Sequence, residues 1–287
     1  MIKLLRRLLR ASEGGKVHPS TDQPIGKDDP LQELREAIIN TETRPAVLQA
    51  LRKLDKKGLL EGGYRELFEL LQAEEGMEKG LNALSDLALG KGALAESIID
   101  HLISDKDLAA DLGGCKVNQD ERMVLNLWAI TLCVMRAVSK VSDEEKRAFL
   151  DQYHEFIYFM GCPEGEDARL AWAVATSRIS ALSQTRYQEY FDAFGEMMRR
   201  QESVHRDPSV RLVPGAPLMH AITKNLFGLE SDSLLLAFEV QSLIMAQLIS
   251  FAKTFGTPEG WATMRHLVEE ACRALRSGAT KPPFSKP

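Results

Sequence analysis

From Leu31 to about Ser277 apolar residues recur at three- and four-residue spacing, and no stretch alternates apolar with polar in the two-residue period of a strand. That periodicity confines the chain to an all-α fold. Breaks in it divide the sequence further. Residues 31–113 read as short helices near 31–40, 45–57, 64–75, 77–89 and 93–111. Pro45 sits in a first turn, and Gly58, Gly62, Gly63, Gly76, Gly90 and Gly92 act as punctuation. LQALRKL at 48–54 returns as LNALSDL at 81–87, an echo at 33 residues that leaves a helical-hairpin arrangement open.

The run GGCKVN at 113–118 marks a seam. Beyond it, 114–277 reads as a bundle of longer helices: 119–140, 143–160, 165–182, 185–203, 217–228, 232–255 and 258–276. Asn118 with Glu121, and Ser142 with Glu145, have capping-box spacing, and Thr257-Pro258 supplies a cap and first turn for the last helix. The expected architecture is two packed helical subdomains, short-helix then long-helix, with a disordered tail over 278–287. The apolar runs MVLNLWAITLCVM (123–135) and VQSLIMAQLISFA (240–252) are shorter than the roughly 20 residues that span a bilayer core. Both are expected as buried central helices.

The opening segment differs from the body. MIKLLRRLLRA carries four bases and no acid, and residues 12–30 (SEGGKVHPSTDQPIGKDDP) have the composition of a flexible linker. At 100° per residue Ile2, Leu4, Leu5, Leu8 and Leu9 share one face, and Lys3, Arg6, Arg7 and Arg10 fall mostly on the other. This is the pattern of an interfacial helix. Eleven residues are too few to hold a helix alone in water, so coil in solution and helix on a surface is expected. Ile2, Leu5 and Leu9 would then lie beneath, with Arg6, Arg7 and Arg10 at the surface. An anionic membrane, a groove on this acidic body or on a partner protein, and an organelle transit route in a eukaryotic source all fit. A secretory leader does not, because arginines interrupt every apolar stretch.

Net charge is −5, so the basic opening leaves the remainder strongly acidic. Phosphate binding needs clustered cations on one face, and no nucleic-acid partner is expected. Cys115, Cys133, Cys162 and Cys272 form no CxxC, which points to reduced thiols in a cytoplasmic setting rather than a zinc site or disulfide framework. Cys133 reads as core.

No P-loop, GxGxxG after a strand, GxSxG or HExxH is present, so no cofactor and no catalytic residue are assigned. Asp151-x-x-His154 and Glu202-x-x-His205 have the i, i+3 spacing of di-iron bundles, with Glu121 and Glu239 as the only further ligand candidates. Their chain order does not fit such a site, and no metal is expected. Glu239 is the only charge in SLLLAFEVQSLIMAQLISF, and Arg136 is nearly as isolated in its own apolar segment. A buried Glu239–Arg136 pair is the expected resolution. Residues 197–220 bring Arg199, Arg200, Arg206 and Arg211 beside His205 among prolines, a candidate anion-binding loop. The leading expectation is a non-catalytic helical adaptor or regulator that contacts a protein partner or a membrane surface through its opening segment. The competing one is an enzyme or small-ligand binder with a pocket near Glu239, His220 and loop 197–220.

Overall fold

The computed structural model of the chain describes residues 44–104 and 116–276, apart from 61, 91, 164, 208, 210 and 211. These form nine helices and no strand: α1 Arg44–Lys56, α2 Gly62–Leu89, α3 Leu94–Ser104, α4 Gln119–Ala137, α5 Asp143–Met160, α6 Glu166–Arg206, α7 Ala216–Phe227, α8 Leu234–Phe255 and α9 Pro258–Arg276. The all-α expectation holds. Residues 1–11, the linker 12–30, the helix read at 31–40 and the tail 278–287 lie outside the described residues.

Helix starts follow the caps. The Asn118 side chain accepts from the Asp120 and Glu121 amides, Ser142 Oγ accepts from Glu145 N, and Thr257 Oγ1 accepts from Gly260 N at 3.0 Å. Two expected breaks are absent. Helix α2 runs through Gly76, and α6 runs through Ser183–Thr185 as a single 41-residue helix. The sequence reads each as two helices. A helical Gly costs only about 1 kcal/mol against Ala. Buried Phe68, Leu71, Leu81 and Leu84 along α2, and Ile179, Tyr190, Phe194 and Met197 along α6, outweigh that local preference. The two leucine-rich heptamers therefore do not form equivalent hairpins: one is α1, and the other is the last half of α2.

The chain divides into two compact units at Lys79/Gly80, inside α2 and upstream of the seam read at 113–118. In the first, Val47, Leu48, Leu51, Leu54, Leu60, Phe68 and Leu71 make a buried cluster. Arg52 Nη2 reaches Glu75 Oε2 at 2.7 Å across its surface. In the second, α4 is the central helix, with a continuous buried run from Met123 to Val134 that includes Trp128. It packs against α3, α5, α6, α7 and α8. Helix α3 belongs here because the buried Asn126 side chain accepts from Ala95 N at 2.7 Å and donates to Ala88 O at 3.0 Å. The displaced seam has this physical origin.

Tyr153 donates its hydroxyl to Leu84 O at 2.6 Å, and α9 is held on α5 by Phe149 tilted against Trp261 and by Glu145 accepting from Trp261 and Arg265. Helix α7 ends at Gly228, whose φ of 70° is the left-handed cap that glycine favours. It begins at Gly215, where a Cβ would stand 1.9 Å from Ala237 O, so only glycine lets α7 start against the α8 backbone. Cys133, Cys162 and Cys272 are free thiols, and burial pushes the Cys133 thiol up to about 12.

Candidate functional site

Helix α8 is the one helix among the described residues long and apolar enough to cross a membrane. Its inner face is engaged with protein: Leu236, Ala237, Val240, Ile244 and Phe251 are buried, and α8 packs on α3, α4, α7 and α9. The sequence expects this segment to be a buried central helix like α4. Instead only 28% of its most apolar stretch is buried. Leu234 (61% exposed), Leu235 (52%), Phe238 (54%) and Ile249 (51%) face outward. Single exposed apolar residues are ordinary, but four on one helix form a patch of the kind that marks an interaction surface.

Beside this face, α3 and α8 enclose a groove of about 290 Å³. Leu87, Leu94, Leu243, Ala246, Phe251 and Phe255 supply its apolar walls. Two hydroxyls in it are satisfied by their own helices, Ser97 Oγ on Ala93 O and Thr254 Oγ1 on Ser250 O. Gln247 is different. Both its Nε2 and its Oε1 are buried with no hydrogen-bond partner. An unmade bond at a buried amide costs about 1–3 kcal/mol, so an apolar groove with one unsatisfied donor and one unsatisfied acceptor is primed for a ligand that offers both.

Glu239 lies at the edge of the outer face, half-buried, with Oε1 3.9 Å from His101 Nε2. Arg136 is exposed at the end of α4 and does not reach it. The expected Glu239–Arg136 pair is therefore not formed, because Glu239 sits where the helix meets solvent and needs no buried counter-ion.

The arginine loop is also reassigned. Arg199 and Arg200 both pair with Glu196, at 3.0 and 2.8 Å, and Arg206 reaches Glu202 at 3.6 Å, all along α6. His205 is exposed in the last turn of the same helix, and Arg211 lies outside the described residues. The continuation of α6 to Arg206 turns a would-be anion cluster into helix-surface ion pairs. Ile2, Leu5, Leu9, Arg6, Arg7 and Arg10 are likewise outside the described residues.

A second, more open pocket of about 420 Å³ lies between α6 and α7, with Glu189, His220, Lys224 and Glu230 on its walls. Behind it is an ion cluster that sequence reading misses. Glu121, expected to bond back at the α4 N-terminus, is 3% exposed and instead accepts from Arg186 Nε at 2.7 Å. Arg186 Nη1 also reaches Glu189 at 2.8 Å, and Asn225 Nδ2 donates to Glu189 at 3.2 Å. Burial raises the Glu121 carboxyl above its ordinary range despite Arg186. The signal was hidden by the break read at 183–185, which leaves the register of Arg186 unset.

Among the described residues no cluster that could hold a metal gathers around His154. Its Nε2 lies 3.5 Å from the Tyr187 hydroxyl, and Tyr153, Tyr158 and Tyr187 surround the ring. Comparison with protein-family models, with curated proteins and with solved structures returns no match to this chain.

Proposed function

We propose that the protein is a helical adaptor that binds a partner protein by taking an apolar peptide segment into the α3–α8 groove. The Gln247 amide carries this reading. Its donor and acceptor lie on one edge of the side-chain amide, so the main-chain N–H and C=O of one extended residue, taken as a unit, satisfy both. Apolar walls then accept the side chains on either side of that unit. The competing enzyme or small-ligand reading near residues 197–220 draws less support, because Arg199, Arg200 and Arg206, three of the arginines that motivated it, are committed to Glu196 and Glu202.

Selection of random peptides displayed against the full chain tests the groove. Enriched peptides are expected to be apolar, and Gln247→Leu is expected to weaken their binding about tenfold while raising the stability of the free protein by about 1 kcal/mol. Enrichment that is indifferent to Gln247→Leu and to Ser97→Trp, which fills the groove, sinks the proposal.

The opening segment is proposed as a second, weaker contact. Each basic residue near anionic lipid is worth about 1 kcal/mol, and the leucine face adds apolar burial. Co-sedimentation of the full chain with phosphatidylserine vesicles is expected to fall with added salt and to be lost in Leu5→Glu. Pelleting that Leu5→Glu leaves unchanged removes lipid from the list of its targets.

A further inference from the structure

Helix α8 carries two apolar seams, one on each side. Ala237, Val240, Ile244, Gln247 and Phe251 follow alternating three- and four-residue steps on the inner side. Leu235, Phe238, Ser242, Met245, Ile249 and Ala252 follow the same alternation about 200° away around the helix. Such steps are the a and d positions of a coiled coil. A helix that only covers a core needs one such seam. The second lies on the outer face, where Leu235, Phe238, Ser242 and Ile249 are exposed.

We propose that this outer seam packs against the same seam of a second copy of the chain, with the two α8 helices antiparallel. The proposal does not rest on the groove reading: none of the six seam positions lines the groove, and only the flanking Ala246 and Phe255 border both. Orientation and register follow from the residues. In an antiparallel pair each a residue faces a d residue of the other helix. One register uses all six positions. Leu235 then faces Ala252 of the second copy, Phe238 faces Ile249, and Ser242 faces Met245, each twice by symmetry. Large side chains meet small ones in two of the three layers, which lets the backbones approach.

The flanking positions select the same register. Glu239 and Lys253 are the only charged residues in α8, and both fall at the e position. In this register Glu239 lies opposite Lys253 of the second copy at both ends of the seam, with Ala246 opposite Ala246 between them. Exposed Leu234 is covered by Phe255 of the second copy. A parallel pairing instead sets Glu239 against Leu234 and Gln241, and Lys253 against Leu248 and Phe255, leaving both charges without partners. The seam is about 27 Å long by the helical rise. With about eleven residues a side it is smaller than a standard interface of about 20–30 residues a side, so the dimer is reversible and grows with concentration.

Sedimentation of the full chain over a wide concentration range tests this. A monomer–dimer equilibrium is expected, and Phe238→Lys is expected to abolish it while leaving helix content and melting unchanged, since Phe238 is more than half exposed. Glu239→Lys and Lys253→Glu are each expected to weaken association about tenfold, because every end of the seam then opposes like charges. The double exchange Glu239→Lys with Lys253→Glu is expected to restore it. A chain that stays monomeric, or a dimer unaffected by Phe238→Lys, overturns the proposal. So does a double exchange that fails to rescue. A monomer that loses binding to phosphatidylserine vesicles on Phe238→Lys assigns the face to lipid and overturns it as well.

Discussion

Replacing Arg186 by Met is expected to lower the unfolding free energy by about 3–5 kcal/mol, measured by urea denaturation near pH 7.5. The reason is the carboxylate left behind. Glu121 is 3% exposed, its Oε1 depends on Arg186 Nε at 2.7 Å, and its Oε2 is buried with no partner. The α4 N-terminus favours a negative charge in its first turn, but that contribution is typically below about 1 kcal/mol. It cannot stand in for the guanidinium. Burial already raises the Glu121 carboxyl, and losing Arg186 raises it further. A carboxyl whose folded pKa lies above its unfolded value penalises the fold at high pH. The deficit of Arg186→Met should therefore shrink as pH falls through that raised value. The double change Glu121→Leu with Arg186→Met should recover most of the loss, since an apolar pair in place of a buried ion pair is often neutral. A double variant as unstable as Arg186→Met alone contradicts this coupling.

The same cluster shows which parts of the molecule are written locally. Asn118, Ser142 and Thr257 are legible as helix starts because a cap needs only its own side chain and amides two or three residues ahead. The single helices α2 and α6 are not legible in this way. Gly76 and the run Ser183-Gln184-Thr185 are weak helix formers, and only the packing of distant side chains overrides them. The error in α6 then propagated: with a break at 183–185, Arg186 and Glu189 had no register that could bring them to Glu121 and Asn225. Likewise the division at Lys79/Gly80 depends on Asn126 reaching back to Ala88 and Ala95, bonds that span more than thirty residues.

Helix α8 was misread for a different reason. Both of its faces are apolar, so periodicity alone does not say which one the core takes. The isolation of Glu239 in sequence argued for burial and a partner. In the fold that residue borders the uncovered face, where a charge keeps its water. The outer seam was present in the spacing of Leu235, Phe238, Ser242, Met245, Ile249 and Ala252, yet a continuous apolar run conceals two seams as easily as one. The unpaired Gln247 amide had no sequence signal at all, because whether an amide finds a partner is decided by α3, more than 140 residues away.

Lowering the pH from 6.5 to 5 is expected to cost the fold about 2 kcal/mol through His154 alone. Burial among Tyr153, Tyr158 and Tyr187 takes its imidazole down to about 4, with Asp151 one turn earlier opposing the shift weakly from solvent. The unfolded chain binds that proton near the ordinary value of about 6.5. Below 6.5 the unfolded state therefore holds more protons than the native one, and stability falls as pH falls. The contribution is fully present above 6.5 and is lost progressively down to about 4, on the order of 3 kcal/mol in all. Ordinary carboxylates titrate below 5, and the raised Glu121 carboxyl is common to parent and variant, so the difference between them from 6.5 to 5 isolates the histidine. Replacing His154 by Phe keeps a ring between Tyr153 and Tyr187 and removes the titrating group. Urea unfolding of the two proteins at pH 6.5, 5.75 and 5.0 should give a falling series for the parent and a nearly level one for His154→Phe. Parallel declines in both would place the acid sensitivity elsewhere, since the tyrosine cage would then be admitting the proton.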